Sequence, residues 1–394
     1  MISRINWEKR VIEAFAQHPV VAILGPRQCG KTTLAREIFS NSSSSARLET
    51  NYFDLEDPVH INRLQNPKLA LESLQGLIVI DEIQLVPELF PVLRVLVDRP
   101  SNQGRFLILG SASRDLIRQS SETLAGRIQY LELTPFSLQE ISINKQQLLW
   151  MRGGFPKSFL ASDDQLSSKW REEFIRTYLE RDLPQLGITI PSQTLRRFWI
   201  TLAHYHGKIF NASELGRSFG VSDTTVKRYL DILSGTFMVR QLSPWIENIK
   251  KRQIKSPKIY FRDSGIFHQL LGISKYEQLL VHPQLGSSWE GFAMEEVLRA
   301  HYIREEDAYF WGIHEQCELD LLLLKEGKRV GFEFKYQDAP KFTLPLRKTF
   351  EYLKLDRLIV IYPGKTSYPM EDNIYISSLE EAVQGIKADP PSSR

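Results

Sequence analysis

A single apolar run that breaks into a glycine loop and then a helix start constrains this chain more than any other feature. Val20-Val21-Ala22-Ile23-Leu24 leads into Gly25-Pro26-Arg27-Gln28-Cys29-Gly30-Lys31-Thr32-Thr33, which fits G-x-x-x-x-G-K-[ST] in full. Gly25 and Gly30 let the backbone curl so that its N–H groups turn toward phosphate oxygens. Lys31 then reaches the β- and γ-phosphates and the Thr32 hydroxyl ligates Mg2+, while the helix that starts there adds the positive end of its dipole. The bland alternative, a chance match in a glycine turn, leaves the flanking strand and helix unexplained. Residues Gly25 to Thr33 are therefore read as a nucleotide-binding loop for ATP, with Cys29 as a small filler inside it.

A second apolar strand carries the acids that such a loop needs. Leu77-Ile78-Val79-Ile80 ends in Asp81-Glu82, at a spacing that suits a strand beside the first in one sheet. Asp81 is expected to hold Mg2+ directly or through water, and Glu82 to orient and deprotonate the attacking water. A third apolar strand, Phe106-Leu107-Ile108-Leu109, ends in Gly110-Ser111. Ser111 is either a γ-phosphate sensor or an ordinary strand-end serine. Arg114 and Arg127 are candidates to stabilise charge in the transition state, in cis or from a neighbouring subunit, the alternative being a surface salt bridge.

From Val20 to Leu133 short apolar runs alternate with amphipathic segments, the pattern of a parallel sheet wrapped by helices and hence of an α/β fold. The expected strands are Val20–Leu24, Tyr52–Leu55, Leu77–Ile80, Phe106–Leu109 and Gln129–Leu133. With 394 residues the chain is too long for one ordinary core. Four parts are expected: an ATPase domain over 1–145, a helical lid or connector over 146–200, a winged-helix-like unit over 201–262, and a further α/β unit over 263–394 ending in a disordered tail, Asp389–Arg394. Ser40–Ser45 reads as a flexible surface loop. A net charge of +3 is too mild to argue for or against nucleic acid, so local clusters must decide. Only two cysteines, Cys29 and Cys317, point to a reducing, cytoplasmic setting. No stretch reaches the roughly 18 apolar residues of a membrane span, so no membrane partner is expected.

Several short stretches together resemble the ATP-binding module of a bacterial and archaeal family of AAA-type ATPases that carry a C-terminal domain of unknown function. They are Gly25-Pro26-Arg27-Gln28 with Gly30-Lys31-Thr32-Thr33-Leu34, Tyr52-Phe53-Asp54-Leu55-Glu56, Asp81-Glu82-Ile83-Gln84, Leu124-Ala125-Gly126-Arg127 and Gly153-Gly154-Phe155-Pro156. Tyr178-Leu179-Glu180-Arg181-Asp182-Leu183 resembles the start of that second region. The resemblance covers nearly the whole chain. It implies an AAA-like sheet, ATP as ligand, and a capacity to oligomerise, since such modules often form rings.

Beyond the connector, Asn211 to Gly220 reads as a short capped helix, with Glu214 three residues after the Asn211 cap. Val221-Ser222-Asp223 forms a turn, and Thr224–Leu233 a second helix with Val226, Tyr229, Leu230 and Leu233 inward. Thr225, Lys227 and Arg228 point outward. This is helix-turn-helix spacing, and Phe237–Leu242 with Lys258–Phe261 would supply a wing. Between those strands Lys250, Lys251 and Arg252 form a basic run suited to DNA phosphates. Packing or protein interaction is the competing use of the same fold.

The last part is expected to run helix (Trp289–Tyr302), three strands (Ala308–Gly312, Glu318–Leu324, Arg329–Lys335), helix (about Pro345–Leu353) and strand (Arg357–Tyr362). If the middle hairpin turns through Glu326-Gly327, facing residues have numbers summing to 653. Asp320 then opposes Glu333 and Glu318 opposes Lys335, with Glu333 and Lys335 on one face. Two carboxylates so opposed repel unless a proton or cation intervenes. A second divalent metal on Asp320 and Glu333 answers that repulsion, with Lys335 near the reacting phosphate and Glu290 as a further ligand. Asp320 with Glu333-Phe334-Lys335 resembles the core of the PD-(D/E)xK nuclease superfamily, although Leu319 stands where the superfamily's name has proline. Ordinary cross-strand charge pairs, or a nuclease-like fold that binds DNA without cutting, explain the same residues.

Two functions follow. One is a P-loop ATPase, a hydrolase coupled to DNA binding or processing. The other is an ATP-dependent switch that binds protein partners through its C-terminal part and cuts nothing.

Overall fold

The computed structural model describes residues 2–42, 48–100, 103–111, 124–246, 254–313, 317–341 and 343–385. Arg114, the basic run Lys250, Lys251 and Arg252, and the tail Asp389–Arg394 lie outside them, as does part of Ser40–Ser45. The chain divides into two compact units.

The first unit comprises Met1–Pro135 with two later segments, Arg181–Thr189 and Ile232–Met238. Its centre is a five-stranded sheet: β1 (Val20–Leu24), β2 (Tyr52–Asp54), β3 (Gly76–Asp81), β4 (Gly104–Gly110) and β5 (Ile128–Glu132). Every pairing is parallel, and the order is β2-β3-β4-β1-β5. All five side chains of β1 are buried, as expected of a strand covered on both faces. Helix Leu89–Val97 lays Leu89, Phe90, Leu93 and Leu96 against Ile78, Ile80, Phe106 and Ile108. Burial of each such side chain is worth about 1.5–3 kcal/mol.

The strand positions agree with the sequence to within a residue or two, but their order does not. The strand carrying Asp81 was expected beside the P-loop strand; β4 runs between them. Parallel strands are joined by crossovers that can skip a neighbour, and continuous apolar runs hold no information on which strand lies next to which.

The second unit comprises Phe136–Glu180, Ile190–Asp231 and Val239–Arg394. It begins with helices, among them Asp164–Thr177 and Ser192–Ala203; a five-residue π-helical turn over Tyr178–Asp182 begins in this unit, and its last two residues belong to the first. A nine-stranded sheet follows: β6 (Lys208–Ile209), β7 (Val239–Pro244), β8 (Lys258–Phe261), β9 (Ala308–Ile313), β10 (Cys317–Lys325), β11 (Lys328–Phe334), β12 (Arg357–Tyr362), β13 (Tyr368–Glu371) and β14 (Ile374–Ser378), in the order β13-β14-β12-β11-β10-β9-β7-β8-β6. The hairpin β7–β8 is thus continuous with the later strands, through parallel pairing of Ser243 and Pro244 with Tyr309 and Phe310.

Between β6 and β7 stand helices Ala212–Phe219 and Asp223–Gly235. Asn211 caps the first by accepting the Glu214 N–H at 3.2 Å, and Gly220 ends it in the left-handed region (φ 66°). Val226, Tyr229, Leu230 and Leu233 are buried, while Lys227 and Arg228 are exposed and Thr225 is half-buried.

The β10–β11 hairpin has the expected register. Leu321 faces Phe332 and Lys325 faces Lys328, each pair summing to 653. Its two turn residues, Glu326 and Gly327, both have positive φ (52° and 76°), as a two-residue type I′ turn requires.

Candidate functional site: a phosphate loop and a buried acid cluster

The P-loop joins β1 to helix Lys31–Ser42 at the carboxyl edge of the first sheet. Gly25 is dictated by contact: a Cβ there would lie 2.1 Å from the Leu133 carbonyl oxygen. Gly30 is dictated by conformation, with φ 102°. The Lys31 side chain, 4% exposed, curls into the loop and donates at 2.9 Å to the carbonyls of both Gly25 and Pro26. The loop is tied down from behind by Arg4, whose guanidinium donates to the Cys29 carbonyl at 3.0 Å and the Thr134 carbonyl at 2.8 Å. No sequence motif points to this role for Arg4. Cys29 is buried, its thiol pushed up by that burial and its Sγ 3.6 Å from the Leu133 carbonyl, which fits a filler.

Asp81 faces the helix start. The Thr32 hydroxyl donates to its Oδ2 at 2.8 Å, and so does the Tyr52 hydroxyl, also at 2.8 Å. Burial pushes the Asp81 carboxyl up; the bond from Thr32 works against that shift. A hydroxyl and a carboxylate converging in this way are the hard oxygen donors that Mg2+ prefers, so the residues fit the ion. Glu82 follows in the left-handed region (φ 56°, ψ 45°), a conformation costing about 1–3 kcal/mol for a non-glycine residue and concentrated at functional sites.

The Glu82 carboxylate accepts from the Gln84 amide, which also donates to the Ser111 hydroxyl at 2.9 Å. The Ser111 N–H returns a bond to the Gln84 side-chain oxygen Oε1 at 3.3 Å. Gln84 thus bridges the ends of β3 and β4. The sequence displayed it in a motif without giving it a task.

Arg127 lies elsewhere. It precedes β5, and its carbonyl accepts from Val20, the first residue of β1. It is therefore at the amino edge of the sheet, about 17 Å of strand from the loop. Its guanidinium is engaged with Asp98 at 2.5 and 2.9 Å. Arg27, inside the loop, is held between two carboxylates: Nη1 meets Asp182 at 2.5 Å and Nη2 meets Glu56 at 3.0 Å. Pro26, Gln28 (φ 62°) and Thr33 complete the loop segment.

In the second unit, Glu290, Asp320, Glu333 and Lys335 do come together, with two residues the sequence assigned only to a wing strand. Lys258 on β8 is 3% exposed; it pairs with Glu318 and lies 3.7 Å from Asp320. The Tyr260 hydroxyl donates to Glu290 at 2.5 Å. Lys335 pairs with Glu333 at 2.6 Å, and Asp320 accepts the Phe334 N–H at 3.0 Å. Burial, and after it the charge of Asp320, pushes Glu290 and Glu333 up to about 8. Burial alone would lower the Lys258 ammonium, but Asp320, Glu290 and Glu318 outweigh it and hold it above the usual lysine value. Among the described residues no group of three or more His, Cys, Asp or Glu side chains is placed to hold a metal ion. The cations beside this cluster are Lys258 and Lys335.

Comparison with known proteins gives three domain matches. The AAA domain matches residues 17–142, a domain of unknown function (DUF8612) matches 143–277, and a second (DUF4143) matches 285–382. An uncharacterised protein of Mycobacterium tuberculosis is 46% identical over 374 residues, covering 95% of this chain and 83% of its own length. An uncharacterised protein of Mycobacterium bovis matches to the same extent. Similar solved structures include the Walker-type ATPase of Pyrococcus abyssi (13% identity, TM-score 0.45, 69% of this chain and 96% of that one). Another is the ORC2 protein of Aeropyrum pernix (16% identity, TM-score 0.34, 70% and 92%).

Proposed function

We propose, from the premise that this chain belongs to a family of AAA-type P-loop ATPases shared with the two mycobacterial proteins, that it binds ATP with Mg2+ at the β1 loop, hydrolyses it, and couples the cycle to DNA through its second unit. The observation that carries the ATPase reading is the meeting of Thr32 with Asp81 beside the buried Lys31 ammonium. Lys31 exchanges its two loop carbonyls for phosphate oxygens. Thr32 and Asp81 hold the ion, which neutralises charge on the triphosphate. Glu82, aimed by Gln84, accepts the proton of the attacking water, and Ser111 stands at the end of the strand next to β1 to sense the γ-phosphate.

The DNA reading is supported by the two helices after Asn211 and by the exposed Lys227 and Arg228 on the second of them, the arrangement of a winged helix. Thr225 and the run Lys250, Lys251 and Arg252 would add phosphate contacts. The acid cluster and its hairpin register support a PD-(D/E)xK-like fold for the last part.

One observation favours the switch reading over cutting: Lys258 and Lys335 already neutralise the acids that a second metal would need. The test is ATP hydrolysis with and without single-stranded, duplex and branched DNA, with strand cleavage followed in the same tubes under Mg2+ or Mn2+. DNA stimulation supports coupling. Cleavage that disappears in Asp320→Ala while ATP hydrolysis persists makes Asp320, Glu333 and Lys335 a nuclease site. Hydrolysis indifferent to DNA, with no cleavage, leaves the protein-binding switch.

A further inference from the structure

Arg27 splits its guanidinium between two carboxylates of different character. Nη1 bonds Asp182 at 2.5 Å, and the Asp182 side chain is 3% exposed; Nη2 bonds Glu56 at 3.0 Å, and the Glu56 side chain is 47% exposed. Asp182 closes the π-helical turn Tyr178–Asp182, a geometry that inserts an extra residue into a helix and recurs at functional sites. Its Oδ1 also accepts from Arg181 at 3.1 Å, while its buried Oδ2 has no hydrogen-bond partner among the described residues. A buried carboxylate left half unsatisfied is costly, and it is tolerated where a neighbour must be held in place. An exposed carboxylate is screened and contributes little, so it releases its partner easily to a more highly charged acceptor.

We infer that Asp182 is a positioning residue of the ATP site. It fixes Nη1 of Arg27, so that Nη2 is the end offered to the triphosphate, and Glu56 is the resting occupant of that end. This rests on the loop binding ATP. It has a consequence that a purely structural ion pair lacks: the two carboxylates on one guanidinium have opposite effects. Removing the charge of Asp182 loosens Arg27 and weakens ATP binding. Removing that of Glu56 takes away a competitor for Nη2 and strengthens it.

The experiment measures KM for ATP and kcat in the full chain carrying Asp182→Asn, Glu56→Gln, Arg27→Gln, and Asp182→Asn with Arg27→Gln together. Asp182→Asn is expected to raise KM about tenfold with kcat within about twofold, the size of a charge-assisted hydrogen bond. Glu56→Gln is expected to lower KM about two- to threefold, the scale of an exposed pair. Arg27→Gln should match Asp182→Asn, and the double variant should add nothing to either. If Asp182→Asn lowers the thermal midpoint sharply, the opposite signs of Arg27→Gln and Glu56→Gln carry the test. KM moving the same way in both, or unchanged in both, overturns the inference while the ATPase reading stands. A parent chain that neither binds nor hydrolyses ATP overturns both.

Discussion

The Thr32 hydroxyl donates to the Asp81 carboxylate at 2.8 Å across 49 residues of chain, although the strands leading to them are not neighbours. The bond joins the helix start of the P-loop to the end of β3. Two segments far apart in sequence are thereby brought together as the pair proposed to bind the ion. Thr32→Val removes the hydroxyl and keeps the shape. The expected outcome is a loss of Mg2+-dependent ATP affinity of about tenfold or more, with the fold intact, read by nucleotide titration with and without Mg2+. Equal affinity with and without the ion, in parent and variant alike, would count against the pair.

Glu82 is held in a left-handed backbone conformation with its carboxylate on the Gln84 amide. Glu82→Gln keeps the size of the side chain and removes its basicity. ATP binding should persist while turnover falls about 100- to 10,000-fold, the usual contribution of a general base. Gln84→Ala should lower kcat with little change in KM, because Gln84 acts through Glu82 and Ser111. Full turnover in Glu82→Gln would remove Glu82 from the chemistry.

Lys227 and Arg228 are exposed on helix Asp223–Gly235, which buries Val226, Tyr229, Leu230 and Leu233. Reversing both charges to Glu should weaken duplex DNA binding and flatten its salt dependence, by roughly one unit of slope for each phosphate that is no longer neutralised. A parent chain with no affinity for duplex at low salt would sink the DNA reading of this surface.

Acid should unfold the second unit from a defined side. Burial holds His206 and His268 at about 3, well below the ordinary 6.5. Burial would raise Glu295, but Arg240, Arg262 and Arg299 outweigh it and hold the carboxyl at about 2. Glu290 and Glu333 at about 8, and Glu296 at about 7, have the opposite sign, and they offset the histidines between pH 6.5 and 4.5. Below about pH 4.5 those three are protonated in both states. The two histidines and Glu295 then bind more protons when unfolded, so stability falls as pH drops from 4.5 toward 3, by about 1.4 kcal/mol per pH unit for each group. Six of the seven tryptophans lie in this unit, so their emission reports it. Emission that stays flat from pH 5 to 3 would contradict the assignment.

The parts of this molecule legible from sequence are those governed by local rules. The P-loop, the Asn211 cap, the left-handed Gly220 and the Glu326-Gly327 turn each follow from a few adjacent residues, and the turn alone fixed the 653 register. What was not legible depends on partners distant in sequence. Nothing in the apolar run of β4 says that it separates β1 from β3. Nothing near Lys258 or Tyr260 shows that β8 brings them to Glu290, Asp320 and Glu318. Arg127 sits beside glycine in a motif that resembles part of an ATPase, yet parallel pairing of β5 with β1 carries it to the far edge of the sheet. Arg27 and Asp182 are 155 residues apart, and only folding reveals their pairing.

The most direct test compares ATP hydrolysis by the parent chain and Lys31→Ala, in Mg2+ and then in EDTA, with and without duplex DNA. Mg2+-dependent hydrolysis in the parent that is lost in Lys31→Ala, and that rises when DNA is added, is the result expected here. Equal hydrolysis by parent and variant, or none by the parent in Mg2+ at any DNA concentration, would contradict it.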